Sequence, residues 1–277
     1  MTNLFKKVAF AAVAMASFIT VGSADDINLW KKSTLNQILE RGEMRVCMEP
    51  GYMPFEMKDK KGRIIGYDVD MGKRMAKDMG VKVKFIPTAW DGIIAALITN
   101  KCDIIMSGMT ITQQRNLKVN FANPYVVVGQ TIMMDKKLAS KVKSAKDLDK
   151  KEYTVVTKLG VTGEVATRKF FKKAKIITFE TEADAAAEVL NGRADAMVYD
   201  QPYNILFMSD KGKGRLVHLD TPLTYEPLGW AIRKGDPDFL NWLNNFLRQV
   251  KEDKVVGFHD KLNKKWLRET DWLKRVQ

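Results

Sequence analysis

The chain has 277 residues, 45% of them hydrophobic, enough for a sizeable core in one or two domains. Its formal charge is +13, but the lysines are scattered among acids and no basic stripe is interleaved with aromatics, which argues against nucleic acid and for a soluble basic exterior. The two histidines lie apart from the two cysteines and there is no CxxC, which argues against zinc, and no cofactor is expected.

Residues 1–24 have the three parts of a secretory signal: MTNLFKK with two lysines and no acid, the apolar run VAFAAVAMASFITV, and GSA ahead of DD. Cleavage is expected after Ala24. The apolar run falls short of the ~20 residues that span a bilayer, and no cysteine near the cleavage point offers a lipid anchor. Loss of Lys6 and Lys7 with the signal leaves +11 on an exported, soluble chain.

Next, MRVCM (44–48) reads as a buried strand, and GYMPFEMKDKKGRIIGYDVD as a loop, a short polar hairpin and a helix start at Asp68. Val69, Met71, Met75, Ala76 and Met79 form a helical apolar stripe, ended by Gly80. VKVKFIPT is a strand, WDGIIAALITN a short helix and CDIIMSG a strand, which completes a parallel α/β pattern. After the apolar run YVVVGQTIMM (125–134) the pattern restarts: SAKDLDKK is a helical turn, YTVVTK a strand, TGEVATRKFFKK a helix, IITFE a strand, EADAAAEVLNG a helix and ADAMVYD a strand. AALITNKCDIIMSG and AEVLNGRADAMVYD resemble each other, with Asp103 and Asp195 in the matching place, which predicts two lobes of similar architecture. YEPLGWAIRKGD (225–236) is a second crossing. The helical C-terminal segment would return to lobe 1, with Phe239, Trp242 and Phe246 as core.

The expected fold is therefore α/β, with two lobes, each a mainly parallel sheet flanked by helices, joined by two hinge crossings. Lobe 1 comprises 25–124 and 229–277, lobe 2 comprises 130–224, and the hinge comprises 125–129 and 225–228. Cys47 and Cys102 sit in or beside core strands. Export permits a disulfide, but buried free thiols are the preferred reading.

GxSxG, HExxH, Walker A and GxGxxG are all absent, and KGKGR (211–215) lacks the strand–helix context of a phosphate loop. Binding is favoured over catalysis. In parallel α/β lobes ligands sit at the carboxyl ends of strands. Those ends carry Glu49 and Tyr52, then Trp90, then Gly108, Thr110, Thr112 and Arg115, then Lys158, Gly160 and Thr162, and finally Asp200. Arg115 can grip a carboxylate with its planar fork. Thr110, Thr112 and backbone N–H groups add donors, and Thr162 is placed to cap a helix start. Asp200 can receive an ammonium, although it could instead cap a helix over QPYNILFM. Tyr52 and Trp90 can enclose a side chain, or be core. Together these groups describe a site for an α-amino acid.

The stretches GYMPFEM, IIGYDVDMGKRMA, WDGIIAALITNKCDIIMSGMTITQQR, VNFANPY, LGVTGE and RADAMVYDQP resemble the periplasmic amino-acid-binding proteins of ABC transporters, the extracellular solute-binding proteins of the glutamine and lysine/arginine/ornithine type. They occur in that order and cover nearly the whole mature chain; SGMTITQQR followed by FANPY is the most specific. The resemblance implies a type II periplasmic-binding fold that closes on its ligand, a periplasmic location, a monomer, and an inner-membrane ABC permease as partner. It implies that Gly108, Thr110 and Arg115 hold the ligand carboxylate with Thr162 across the cleft, and that Asp200 takes the ammonium. Tyr52 and Trp90 would flank the side chain, and Glu49 and Lys158 would meet its far end. Glu49 alone suggests arginine, lysine or ornithine, whereas the Glu49–Lys158 pair resembles the glutamine type. A polar neutral, glutamine-like ligand is therefore favoured over a basic one. The alternative of another class is a cyclohexadienyl dehydratase-like enzyme with Glu164 or Glu49 as its acid; a sensor input lobe is disfavoured because no membrane span follows.

Overall fold

The computed structural model describes residues 29–276; the signal expected over 1–24 lies outside the described residues. None of the described helices is long and apolar enough to cross a membrane. Helix α1 (Thr34–Arg41) leads into strand β1 (Glu43–Met48) and a small hairpin of Met57–Lys58 with Ile64–Ile65. Helix α2 (Tyr67–Met79), strand β2 (Lys82–Pro87), helix α3 (Ile93–Ile98), strand β3 (Ile104–Ile105) and strand β4 (Asn120–Phe121) follow. Strand β5 (Gln130–Asp135) opens a second unit with strand β6 (Thr154–Lys158), helix α4 (Thr162–Phe170), strand β7 (Lys175–Phe179), helix α5 (Glu182–Leu190), strand β8 (Ala196–Asp200), helix α6 (Gln201–Ser209) and strand β9 (Leu216–Leu219). Strand β10 (Ala231–Ile232) and helix α7 (Pro237–Glu252) return to the first unit.

The two sheets share one arrangement, β2-β1-β3-β10-β4 and β7-β6-β8-β5-β9. In each, only the fourth strand in that order runs against the rest. This is the two-lobe, mainly parallel architecture expected. The repeat extends to one atom: Asp103 Oδ2 accepts the N–H of Arg45 at 2.8 Å, and Asp195 Oδ2 accepts the N–H of Thr154 at 2.7 Å. Each acid thus ties the amino end of a central strand to the turn before its neighbour, and satisfies a backbone donor at a sheet end.

The run 125–134 divides at Gly129. Val126–Val128 pairs antiparallel with Glu226–Leu228 in a two-stranded ribbon between the sheets, and β5 begins one residue later. Tyr125 and Trp230 stack at 5.1 Å, and Tyr67 stacks on Tyr125 at 5.7 Å. Asp68, on the first turn of α2, accepts hydrogen bonds from Tyr125 Oη at 2.9 Å, Trp230 Nε1 at 3.2 Å and Gly108 N at 3.0 Å. Burial pushes its pKa up to about 6, against the pull of those three donors. Phe239 and Phe246 are buried, and Trp242 stacks on Phe246 at 5.4 Å, so the aromatic stripe of α7 is core.

The cysteines correct the expectation of free thiols: Cys47 and Cys102 form a disulfide, with Cα atoms 5.7 Å apart. β1 and β3 are immediate neighbours with Cys47 opposite Ile105, so Cys102, just ahead of β3, falls within bridging reach. Position in core strands, taken as a reason against pairing, is what brings the two sulfurs together.

Candidate ligand-binding cleft

The carboxyl ends of the parallel strands face one another across a closed cleft. Nine of the ten predicted residues line it: Glu49, Tyr52, Trp90, Gly108, Thr110 and Arg115 from one side, and Lys158, Thr162 and Asp200 from the other. Thr112 does not. Its hydroxyl accepts the N–H of Arg115 at 3.1 Å and caps the short helix Gln113–Asn116, so it positions the arginine from outside.

Arg115 donates from Nη1 to the carbonyl of Thr110 at 2.7 Å, and its guanidinium carbon lies 5.2 Å from the centre of the Trp90 ring. Among the described residues it forms no ion pair with a carboxylate, although it is half-buried. The hydroxyls of Thr110 and Thr162 meet beside it at 3.3 Å, one from each lobe. Thr162 is not the helix cap expected: it is the first residue of α4, Val161 holds the cap position, and the hydroxyl turns into the cleft. Gly108 also differs from expectation. Its N–H is committed to Asp68, so it has no donor left for a carboxylate. With φ at 51° and the Tyr52 ring 2.1 Å from where a Cβ would stand, no larger residue fits there.

Asp200 occupies the cap position of α6 but makes no cap hydrogen bond. Its carboxylate instead accepts from Tyr52 Oη and Gln130 Nε2, which favours the site reading over the cap. Burial pushes its pKa up to about 7; Tyr52, Gln130 and Arg115 pull it down and Glu226 pushes it further up. A carboxyl so poorly solvated accommodates its charge best when a cation arrives.

At the far end, the Lys158 ammonium contacts Glu49 across the cleft and lies 2.9 Å from Glu182 within its own lobe. Burial alone would lower the Lys158 pKa, but the two carboxylates outweigh it and hold the ammonium above its ordinary value. Trp90 closes this side by donating from Nε1 to the carbonyl of Gly160 at 3.0 Å.

Sequence reasoning missed four groups here. Glu56 is fully buried on the cleft wall and accepts from Ser107 Oγ at 2.7 Å, and its second carboxyl oxygen has no partner among the described residues. Burial, reinforced by the nearby Asp68, raises its pKa well above the usual range. Ser107 also accepts the N–H of Glu49 at 3.0 Å. Gln130, with Thr131 beside it, is a polar break in an otherwise apolar run, a signal that could have found it. Glu182 carried no signal, since an acid in a first helical turn is ordinary. Glu164, a candidate acid, accepts the N–H of Gly160 at 2.8 Å, pairs with Arg168 at 2.8 Å and does not line the cleft.

The site therefore has an unpaired guanidinium with two hydroxyls at one end, a buried carboxyl in the middle and an acid-rich far end. The sequence model of the bacterial extracellular solute-binding proteins, family 3, matches residues 44–269. The L-cystine-binding protein TcyJ of Escherichia coli is 29% identical over 255 residues, 92% of each chain. A protein of Wolinella succinogenes, assigned as the binding component of an ABC transporter and complexed with lysine, is 61% identical with a TM-score of 0.82, covering 84% of this chain and 99% of that one. The ancestral amino acid-binding protein AncCDT-1, a precursor of cyclohexadienyl dehydratase, is 51% identical with a TM-score of 0.79 over 84% and 99%.

Proposed function

Because the chain belongs to the bacterial extracellular solute-binding proteins, family 3, we propose that it captures a cationic α-amino acid of the lysine or arginine class between its lobes and delivers it to an ABC importer. One observation carries this choice of ligand. At the far end two carboxylates, Glu49 and Glu182, engage a single ammonium, that of Lys158, which leaves one negative charge there without a cation. A neutral, glutamine-like side chain would leave that charge unbalanced, whereas a terminal cation offsets it. The complex of the Wolinella succinogenes relative with lysine supports the same direction, and AncCDT-1 is itself a cationic amino acid solute binding protein.

In this reading Arg115, Thr110 and Thr162 hold the ligand carboxylate, Asp200 takes the ammonium, and Tyr52 and Trp90 flank the aliphatic stem. Glu49 meets the terminal cation. The lobes 25–124 with 229–277 and 130–224 rotate about the crossings 125–129 and 225–228, and contacts made from both sides stabilise the closed form. That form docks, as a periplasmic monomer, on an inner-membrane permease. The dehydratase alternative needs an acid facing the ligand. Of its two candidates, Glu164 lies outside the cleft and Glu49 is paired with Lys158; Glu56 does line the cleft, and recovery of the ligand unchanged is what rules it out as such an acid.

Thermal melting of the refolded protein tests this. A ligand that binds only the native state raises the melting temperature by mass action. Arginine, lysine or ornithine should raise it more than glutamine, and each should be recovered unchanged. A shift with glutamine alone would return the far end to the amide reading; a converted ligand would revive the enzyme.

A further inference from the structure

Glu182 sits in the first turn of α5 and is 2% exposed. Its Oε2 lies 2.9 Å from Lys158 Nζ, and each side chain of the pair is 3% exposed. Both residues belong to the second sheet unit, Lys158 ending β6 and Glu182 opening α5. Glu49 reaches the same ammonium from the opposite unit, and its side chain is 22% exposed. The two contacts differ in kind. The first lies within one lobe and does not depend on their meeting. The second exists only when the lobes meet. Glu182 is also pressed against the opposite lobe, because a Cβ on Gly51 would stand 2.6 Å from Glu182 Oε1.

The geometry points to Glu182 as the residue that sets charge selectivity, by holding Lys158 on lobe 2 as a neutral pair so that Glu49 is left to take a cation from the ligand. This rests on the cationic reading above. Two carboxylates around one ammonium leave one net negative charge, room for one more cation. Without Glu182, Lys158 becomes the sole counter-ion of Glu49, the far end is neutral, and an incoming guanidinium meets an ammonium that nothing else offsets. Glu182 acts here as a positioning residue, through Lys158.

Arginine and citrulline separate charge from shape, because their side chains differ chiefly in the charge of the terminal group. Their dissociation constants would be measured by calorimetry for the wild type, Glu182→Gln, Lys158→Met and the double variant. The wild type should prefer arginine. Glu182→Gln should lower the arginine-to-citrulline preference by at least about tenfold, the scale of one nearby charge in a partly dry site. Lys158→Met should raise that preference, and the double variant, which lacks the ammonium, should restore the preference lost in Glu182→Gln. Equal weakening of both ligands in Glu182→Gln, or no recovery in the double variant, overturns the inference. If Glu182→Gln does not fold, a lowered preference in Lys158→Met overturns it. A wild type that prefers citrulline overturns the cationic reading and the inference with it, whereas an arginine-preferring wild type with an unmoved ratio overturns the inference alone.

Discussion

Asp200 should make the ligand-free protein less stable in order to bind. Its pKa is raised from 3.8 to about 7, chiefly by burial. For a carboxyl raised on folding the sign is unfavourable above the unfolded value. Below pH about 4 both states hold the proton and there is no penalty; between about 4 and 7 only the folded state holds it, and stability falls as pH rises; above 7 the loss is complete. Three pKa units at 1.36 kcal/mol each give about 4 kcal/mol. The lobes can relieve part of this by opening and rehydrating the carboxylate, so we expect Asp200→Asn to stabilise the ligand-free protein by about 2–4 kcal/mol at pH 8 and by almost nothing at pH 4. Urea unfolding of dialysed, refolded wild type and variant at both pH values measures this. A variant less stable than wild type at pH 8, or a difference that does not change with pH, would refute the argument that the buried charge is a cost held for the ligand.

The same group predicts that affinity for an amino acid weakens as pH falls below about 7, by up to tenfold per unit, because the ammonium needs the ionised carboxylate; calorimetry in buffers of different ionisation heat should detect the released proton, and a flat profile from pH 5 to 8 would remove Asp200 from the ammonium role. Arg115→Ala should leave the fold intact and weaken binding by at least ~2 kcal/mol, the scale of a lost charge-assisted contact in a desolvated site; unchanged affinity would contradict its role. Replacing both Cys47 and Cys102 by alanine should cost about 4 kcal/mol on the chain-entropy model, given the 55-residue separation, and a urea midpoint equal to that of the wild type would show that the bridge does little for stability.

The legible parts of the molecule were those where one residue type has few uses. Arg115 after SGMTIT pointed to a ligand carboxylate because its planar fork follows a hydroxyl-rich turn at a strand end, and in the fold it pairs with no carboxylate among the described residues. The matching places of Asp103 and Asp195 predicted the paired lobes because each acid closes the amino end of the same pair of neighbouring strands. What was hidden depends on the third dimension. Glu182 resembles any acid that favours a helix start, and only the approach of α5 to the end of β6 turns it toward Lys158. Thr112 and Thr162 were read by residue type, but which hydroxyl faces the cleft follows from the turn of the backbone. Glu56, flanked by Phe55 and Met57, gave no sign of facing the site.

The strand order has a consequence for how the molecule is assembled in time. The sheet β7-β6-β8-β5-β9 is drawn wholly from residues 130–219, an unbroken stretch of chain. The other sheet inserts β10, at Ala231–Ile232, between β3 and β4, and β4 pairs with no other strand. For a chain delivered amino end first, the half that begins earliest is therefore finished last. Of that sheet only β2-β1-β3, with Cys47 in β1 and Cys102 just ahead of β3, can form before residue 130 arrives. Pulsed hydrogen exchange during refolding should find the amides of β6 and β8 protected before those of β4. The reverse order would mean that β10 closes on β4 before the continuous sheet forms, so that loop length does not set the order.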